Sequence, residues 1–368
     1  MKVGIVHPQL LRGGGERVAK AICDAFTNCE FISYENKLDV KNVRLLTLPF
    51  KMPFGRKAKQ TLILYDLARK INLLRREYDL LITTGVDLPL NTDIIYWQNP
   101  TDLNLFYIRH SLKFFYDALF YTFLVNNKFV HGSPKLIIYN SLYTKIHVEK
   151  ALKINSKNTV VYPPFSSYSP KGSHDKDYVV TISRLDYNKN LQVIPFISSK
   201  LQDAKFFIFG YTQENTPILL REIHKNAKRF NVSLNVCNGL CDDANINIIQ
   251  NASKEEIQKI LSQAKVYFHP PFREPFGLAV LEGMSADLTP VVYKDSGSYY
   301  DIVKRTYGFA YEKNVEAVEK IRYALNKYER GVHEYTKLFN DENKFKQKIK
   351  DVIDTAFAIK ESLALRRK

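Results

Sequence analysis

Two glutamates in the C-terminal half of the chain, Glu274 and Glu282, have the spacing and surroundings of a ligand site. They lie in the segment His269–Glu282, where an apolar strand runs into a loop and then into a helix. Pro275 and Gly277 keep Glu274 out of the helix, whereas Glu282 falls about one turn inside it, at roughly 3.6 residues per turn. One carboxylate is therefore expected beside the helix start and the other on the helix itself.

The backbone between these two acids predicts an anion site. The amides of Phe276, Gly277 and Leu278 stand at a helix N-terminus, where N–H groups lack helical partners and favour a phosphate. A phosphate site flanked by two carboxylates suits a ligand with hydroxyls on both sides of its phosphate. A nucleotide sugar fits that description.

Two other loops follow predicted strands and carry residues suited to the same ligand. Gly13–Gly15 opens a helix after the strand Val3–Val6, so it permits close backbone approach at a helix start. The spacing differs from the dinucleotide-binding fingerprint, so NAD is not predicted; the alternative is a turn that only needs positive φ. Arg184 and Lys189 follow another strand and could neutralise a diphosphate without a metal, or they are ordinary surface cations.

Two histidines also end strands. His269 precedes Pro270 in the loop before the predicted helix start, so we expect it to line the nucleotide-sugar site. His7 follows the first strand and faces an acceptor or serves only the structure.

Length and composition indicate a folded protein of two domains. The chain has 368 residues, 45% of them hydrophobic and 25% charged. Four cysteines make no disulfide framework at this length, so reduced thiols are expected. No signal peptide or transmembrane helix is predicted, and the location expected is cytoplasmic. The net charge of +16 is concentrated in the basic run Lys41–Arg76, which favours a polyanionic partner.

The alternation of apolar strands and helices restarts once along the chain. It predicts a Rossmann-like domain over 1–165, a second over 173–343 and an amphipathic helix over 344–368 that crosses back to the first. Prolines in the segment Tyr162–Gly172 mark the linker.

Taken together, these segments resemble the retaining glycosyltransferases of family 4. The resemblance covers nearly the whole chain, and the Glu-x7-Glu spacing is its specific part. The triple glycine followed by Glu-Arg-Val, and Ser-Gly ahead of Asp-Ile-Val, look most like the mannosyltransferases that extend dolichol-linked oligosaccharides. The segments are Gly13–Val18, Asn140–Thr144, Val161–Pro164, Ser183–Asn190, His269–Glu282, Asp295–Gly297 and Asp301–Val303.

The resemblance implies a GT-B fold, in which two facing Rossmann-like domains enclose a cleft. It implies a hexose transfer from a nucleotide sugar, GDP-mannose or a UDP-sugar, with no metal and no tightly bound cofactor. The catalytic residues would be Glu274, Arg184 and Lys189. The donor would be bound by these three and by Gly14, Gly15, His269, Phe276, Gly277, Leu278 and Glu282.

The sequence departs from the family at three points. Gln98 stands where members often carry a histidine, so only a hydrogen-bonding role on the acceptor side is expected of it. Asp287 replaces the glycine of a usual Ala-Gly pair, and Ser298 replaces the second of two glycines. These departures bear on which sugar is used more than on the fold.

The charge of the N-terminal domain predicts a membrane surface. The basic run and the aromatic segment Leu103–Tyr121 favour peripheral docking on anionic lipid and a lipid-linked or oligosaccharide acceptor; that segment could instead be a core helix. Rival functions are a soluble glucan-type transferase, a phosphorylase, a catalytically inactive scaffold and a nucleic-acid binder. The last leaves Glu274, Glu282 and the glycine loop unexplained, so no nucleic-acid partner is expected.

Overall fold

A computed structural model describes residues 1–11, 13–38, 40–48, 56–86, 88–100, 134–152, 155–213 and 215–365. The chain divides into two compact units. Unit 1 comprises Met1–Pro164 and Asn340–Lys368, and unit 2 comprises Phe165–Phe339.

Unit 1 is built on a parallel sheet of seven described strands in the order β3-β2-β1-β4-β5-β6-β7. Because β1 pairs with both β2 and β4, the strand order reverses beside it, as in Rossmann-like sheets. The strands are β1 Val3–Val6, β2 Cys29–Ser33, β3 Val43–Leu45, β4 Leu80–Thr84, β5 Ile94–Trp97, β6 Leu136–Tyr139 and β7 Lys157–Val160, and the helices of this unit are α1 Gly14–Cys23, α2 Arg56–Glu77, α3 Leu142–Ala151 and α9 Glu342–Leu365.

Apart from Thr83 and Thr84 of β4, the central strands of unit 1 are apolar, because helices cover both faces of a parallel sheet. Every residue of β1, β4, β5 and β6 is buried. The C-terminal helix α9 packs into the same core through Phe345, Ile349 and Ile353, which join the cluster that contains α1 and the sheet. Their near-helical spacing is the apolar pattern visible in the sequence.

Unit 2 has a second parallel sheet of seven described strands, ordered β10-β11-β9-β8-β12-β13-β14. Here the order reverses at β8, which pairs with β9 on one side and β12 on the other. The strands are β8 Tyr178–Arg184, β9 Lys205–Tyr211, β10 Leu234–Cys237, β11 Ile246–Gln250, β12 Val266–His269, β13 Thr289–Tyr293 and β14 Phe309–Tyr311, and the helices are α4 Ile194–Ser199, α5 Thr216–Arg229, α6 Lys254–Leu261, α7 Leu278–Ser285 and α8 Asn314–Asn326.

The expectation of free thiols is wrong in this structure. Cys23 and Cys29 form one disulfide and Cys237 and Cys241 form another, with Cα–Cα distances of 5.6 and 6.4 Å. The first pair joins the end of α1 to the start of β2, and a short turn brings the two together. Such short spans give no framework pattern, which is why composition did not point to them.

Two membrane-related predictions meet the structure differently. The aromatic segment 103–121 lies outside the described residues. Within the described ranges, none of the helices combines the length and apolar character that crossing a membrane requires.

Candidate functional site

The carboxyl ends of β8 and β12 lie side by side where the strand order of unit 2 reverses. In open parallel sheets, ligands bind outside the carboxyl ends of the strands at this point. The loop after β8 carries Lys189 and the loop after β12 carries Glu274. Topology therefore brings together two residues that are 85 positions apart in the sequence.

Lys189 and Glu274 form an ion pair. The Lys189 Nζ lies 2.6 Å from the Glu274 Oε2, and each side chain is 18% exposed. His269, the last residue of β12, places its Nε2 3.9 Å from the same carboxylate oxygen. A cation, a carboxylate and an imidazole thus meet at the edge of one sheet.

Burial and charge set the protonation states of this group. Burial alone would raise the pKa of Glu274, but Lys189, His269 and Arg184 together hold it below its ordinary value. Burial lowers the pKa of His269 to about 4. Near pH 7 the carboxylate is therefore ionised and the imidazole is neutral. Neither ring nitrogen of His269 has a hydrogen-bond partner among the described residues.

A side-chain amide locks the two loops together. Lys189 ends a single 3-10 turn, and Asn190 follows it in the left-handed region at φ 53°. The buried Asn190 donates from Nδ2 to the Pro270 carbonyl at 3.1 Å. Asparagine tolerates this backbone conformation better than most residues. It therefore holds the loop that carries Glu274 against the loop that carries Lys189.

A third loop, after β13, supports the Glu274 loop from the other side. Gly297 donates its N–H to the Glu274 carbonyl at 2.7 Å, and Arg273 donates its N–H to the Asp295 carbonyl at 2.9 Å. A Cβ at Gly297 would lie 2.1 Å from the Pro275 carbonyl oxygen, so the two backbones are in direct contact. The Glu274 backbone is thus held at both flanks.

The helix start predicted from the sequence is present. Gly277 precedes α7 with φ 110° and supplies no side-chain cap, so the first-turn amides at Leu278 remain an anion-binding feature. Phe276 is buried and packs edge-on against Phe339. Glu282 lies within α7 and is 8% exposed.

Arg184 is the last residue of β8 and is exposed. The sequence predicted that Arg184 follows the strand, whereas in the structure it is the last residue of the strand. Its charge contributes to the low pKa of Glu274. It extends the positive charge of this edge beyond Lys189.

In unit 1, two polar side chains and a glycine backbone meet at the carboxyl edge of its own sheet. Gln98, directly after β5, donates from Nε2 to the Thr84 hydroxyl and to the Gly15 carbonyl, the latter at 3.4 Å. A Cβ at Gly15 would lie 2.5 Å from the Gln98 Oε1. Gly13 has φ −175°, and Gly14 begins α1, so none of these glycines is needed for positive φ. Close approach accounts for Gly15.

His7 follows β1 at the same edge and is 5% exposed. Burial lowers its pKa to about 4, against the opposing effect of a hydrogen bond to the Thr84 backbone. Its ring packs on Gly85, which has φ +70° and where an added Cβ would lie 2.6 Å from the ring. His7 is therefore a neutral, buried imidazole near pH 7.

Comparison with known families identifies this second unit. Residues 168–339 match the family model described as glycosyl transferases group 1. Over these residues the C-terminal unit is similar to group 1 glycosyl transferases. That match contains the ion pair, the helix start and all the supporting loops described above.

The curated relatives are mannosyltransferases. Over 219 residues, covering 56% of this chain, the sequence is 26% identical to the GDP-Man:Man(3)GlcNAc(2)-PP-Dol alpha-1,2-mannosyltransferase of Mus musculus, and it is 23% identical over 213 residues to the Xenopus laevis protein of the same name. These alignments span 44% and 41% of the relatives' lengths, less than half in each case.

Solved glycosyltransferase structures share the fold over almost the entire chain. WaaG, a glycosyltransferase involved in lipopolysaccharide biosynthesis, aligns with a TM-score of 0.71 at 14% identity, covering 95% of this chain and 99% of its own. Anabaena HepE, in complex with UDP and glucose, aligns with a TM-score of 0.67 at 16% identity, covering 96% and 99%. The predicted two-domain α/β GT-B fold is confirmed.

Several contacts at the carboxyl edges of the two sheets, each within its own unit, were not predicted from the sequence. Asn190 and Asp295 lie in segments that were singled out, but neither received a role. Thr84 ends β4 and holds Gln98, a contact no local pattern shows. On the N-terminal side, Gly15 was the sequence feature that could have indicated this contact, because only a glycine leaves room for the Gln98 side chain.

The basic run of unit 1 is partly neutralised by the fold. Among the side chains of the run that the structure describes, Arg44 pairs with Glu77, Lys70 with Asp66 and Arg75 with Asp93. Glu77 and Asp93 lie outside the run itself. The cations that remain exposed among the described side chains include Lys41, Arg69 and Arg76.

Proposed function

We propose that the protein is a retaining hexosyltransferase of family 4 that takes its sugar from a nucleotide sugar. The observation that carries this proposal is the Lys189–Glu274 ion pair beside His269 and the start of α7. A cation and a helix start without a side-chain cap suit a diphosphate, and a carboxylate beside them suits sugar hydroxyls. The group 1 match over the same residues supports it.

Each charged group has a defined task in the proposed transfer. Lys189 and Arg184 stabilise the diphosphate as negative charge develops on the leaving group. Glu274 accepts hydrogen bonds from the sugar, and Glu282 accepts them from the ribose. Because Lys189 already pairs with Glu274, an arriving diphosphate shares the ammonium with that carboxylate. The bond from the anomeric carbon to the nucleoside diphosphate breaks, and the acceptor hydroxyl bonds to that carbon from the same face while its proton passes to the departing diphosphate. The anomeric configuration is therefore retained.

GDP-mannose is the donor that the relatives favour. The curated proteins matched are named for GDP-Man as donor, whereas HepE was solved with UDP and glucose. Identity near 26% permits either base, so UDP-glucose is the alternative donor.

A thermal-shift screen tests the donor proposal. Binding to the folded state raises the melting temperature in proportion to RT ln(1 + [L]/Kd). We expect GDP-mannose and GDP to raise it more than UDP-glucose and UDP, and Lys189→Met to remove most of the rise. No rise with any nucleotide sugar in the wild type would refute a donor site.

Lys189, Arg184 and the helix start together provide positive charge for the diphosphate, and we propose that transfer needs no divalent metal. No cluster of three or more potential metal ligands occurs among the described residues. Transfer rates that survive EDTA would support the proposal, and restoration by added Mg²⁺ or Mn²⁺ would contradict it.

The acceptor is proposed to be lipid-linked and reached at an anionic membrane surface from the cytoplasm. On α2, Arg69, Leu73 and Arg76 lie at spacings that place them on one helical face, and Leu73 is 62% exposed between the two arginines. An exposed leucine flanked by cations suits an interfacial position.

Flotation with vesicles tests this docking. We expect binding to vesicles containing phosphatidylserine and little to neutral ones, with a decline as salt rises. Arg69→Gln/Arg76→Gln should reduce it. Equal flotation with both vesicle types would contradict the preference for anionic lipid, and flotation with neither would favour a soluble glucan-type transferase instead.

A further inference from the structure

The Ser298 hydroxyl is buried without a hydrogen-bond partner beside the start of α7. Ser298 is 0% exposed, and its Oγ has no partner among the residues that the structure describes. A Cβ built at Gly277 would lie 2.2 Å from this oxygen. The hydroxyl therefore occupies the space that a side chain at position 277 would need.

A buried hydroxyl with no partner destabilises a folded protein, so its position calls for an explanation. Ser298 is held in place by its neighbour, because Gly297 donates to the Glu274 carbonyl and its backbone touches Pro275. The Ser298 backbone cannot move away from the loop without breaking this contact. The backbone contacts of the loop after β13 therefore fix Ser298 next to the helix start.

Two independent features, one at each end of the loop 270–277, point to a ligand. The first turn of α7 has no side-chain cap, which leaves donors suited to an anion. At the other end of the loop 270–277, both ring nitrogens of His269 are buried and unpartnered. The Ser298 hydroxyl and the first-turn amides of α7 are hydrogen-bond donors, and phosphate oxygens are acceptors that could pair with both.

We propose that Ser298 is a donor-binding residue of this chain, whose hydroxyl donates a hydrogen bond to a phosphate oxygen of the nucleoside diphosphate at the start of α7. This inference rests on the proposed function and deepens it. Ser298 thereby acts with Lys189 on the same diphosphate, from the opposite side of the Glu274 loop.

Ser298→Ala tests the hydroxyl, and Ser198→Ala is its matched control. Ser198 is a buried serine of α4 whose Oγ is also unpartnered among the described residues, and it lies outside the loops that form the site. We would measure melting temperature without ligand, and then the Kd for GDP and for UDP by calorimetry.

Without ligand, we expect both variants to melt at or above the wild-type temperature, because each loses an unpaired buried hydroxyl. With ligand they should separate: Ser298→Ala should bind the preferred diphosphate about tenfold more weakly, and Ser198→Ala should bind as the wild type does.

Three results overturn the inference. An unchanged Kd in Ser298→Ala means that the hydroxyl does not contact the ligand. A lower melting temperature or failure to fold in that variant means that the hydroxyl has a structural partner. If the wild type binds neither GDP nor UDP, the proposed donor site itself is wrong. If the wild type binds and Ser298→Ala binds equally well, only the role of Ser298 is wrong.

Discussion

The carboxyl edges of the two sheets have the same topology and opposite chemistry. In unit 1, Gln98, Thr84 and a neutral His7 make an uncharged polar edge. In unit 2, Lys189 and Glu274 make a charged one. The fold decides that both edges collect functional residues, but side chains decide what each edge can bind.

This difference suits the two halves of a transfer reaction. A diphosphate carries charge and needs cations and helix-start amides, as unit 2 provides. A hydroxyl acceptor carries none, and a buried charge facing it would be costly unless paired. The neutral hydrogen-bonding groups of unit 1 suit an uncharged hydroxyl of this kind.

The charged edge is tested most strongly by neutralising it. Lys189→Met removes the cation proposed to stabilise the leaving group, so we expect transfer to fall about 100-fold or more. The variant also leaves Glu274 half-buried and unpaired, which should destabilise it by about 2 kcal/mol. Initial rates with the preferred nucleotide sugar and urea unfolding would separate the two effects.

The double variant Lys189→Met/Glu274→Gln is the control for that experiment. It removes both charges, so stability should recover while transfer stays low. Recovery of transfer along with stability would mean that the ion pair is structural and that the two edges do not differ in function.

Protonation of His7 tests the neutral edge. Its pKa is lowered to about 4 in the folded state, whereas an unfolded histidine titrates near 6.5. Between these values the unfolded state binds more protons, so the free energy of unfolding falls as pH drops from 6.5 to 4, by up to about 3 kcal/mol. His7→Gln should remove that part of the loss.

Trp97 makes this measurement specific to unit 1. It is the only tryptophan in the chain and is fully buried in β5, so its fluorescence follows the unfolding of that unit. His269→Gln, in unit 2, should leave the pH dependence seen by Trp97 unchanged. The same slope in wild type and His7→Gln would show that His7 is not held neutral.

Local pattern predicted the charged edge better than the neutral one. Glu274, Gly277 and α7 follow one another in the chain, so strand, loop and helix start could be inferred from neighbouring residues. Gln98 and Gly15 lie 83 positions apart, and only the pairing of strands brings them together. Long-range contacts of this kind leave no local signal.

Short strands at the edges of the sheets are also hard to predict from the sequence. β7 has exposed residues at 157 and 158 and β14 has only three residues, so neither shows a long apolar run. β11 was not predicted either, although it is buried and lies between β9 and β10. Apolar runs therefore locate only some of the central strands, and the order of the strands depends on packing that the sequence does not display.

The loop lock in unit 2 is tested at Asn190. Asn190→Gly keeps the left-handed backbone but loses the bond to Pro270, so a destabilisation of about 1 kcal/mol is expected. Asn190→Ala should cost about 1 kcal/mol more because alanine disfavours that conformation. Both should slow transfer about tenfold by misaligning Lys189 and Glu274. A destabilised Asn190→Gly with wild-type rates would show that the charged edge tolerates loose loops.

The smallest expected effect lies at Gly15, where a double-mutant cycle examines the neutral edge. In the wild-type background, Gly15→Ala gains about 1 kcal/mol of helix propensity but pushes Gln98 away from Thr84, which costs about as much. Net stability should barely change. In a Gln98→Ala background the clash is absent, so the same substitution should stabilise by about 1 kcal/mol. Equal effects in the two backgrounds, measured by Trp97 fluorescence in urea, would mean that Gly15 and Gln98 are not coupled. In that case the close approach of Gln98 would not explain why a glycine stands at position 15.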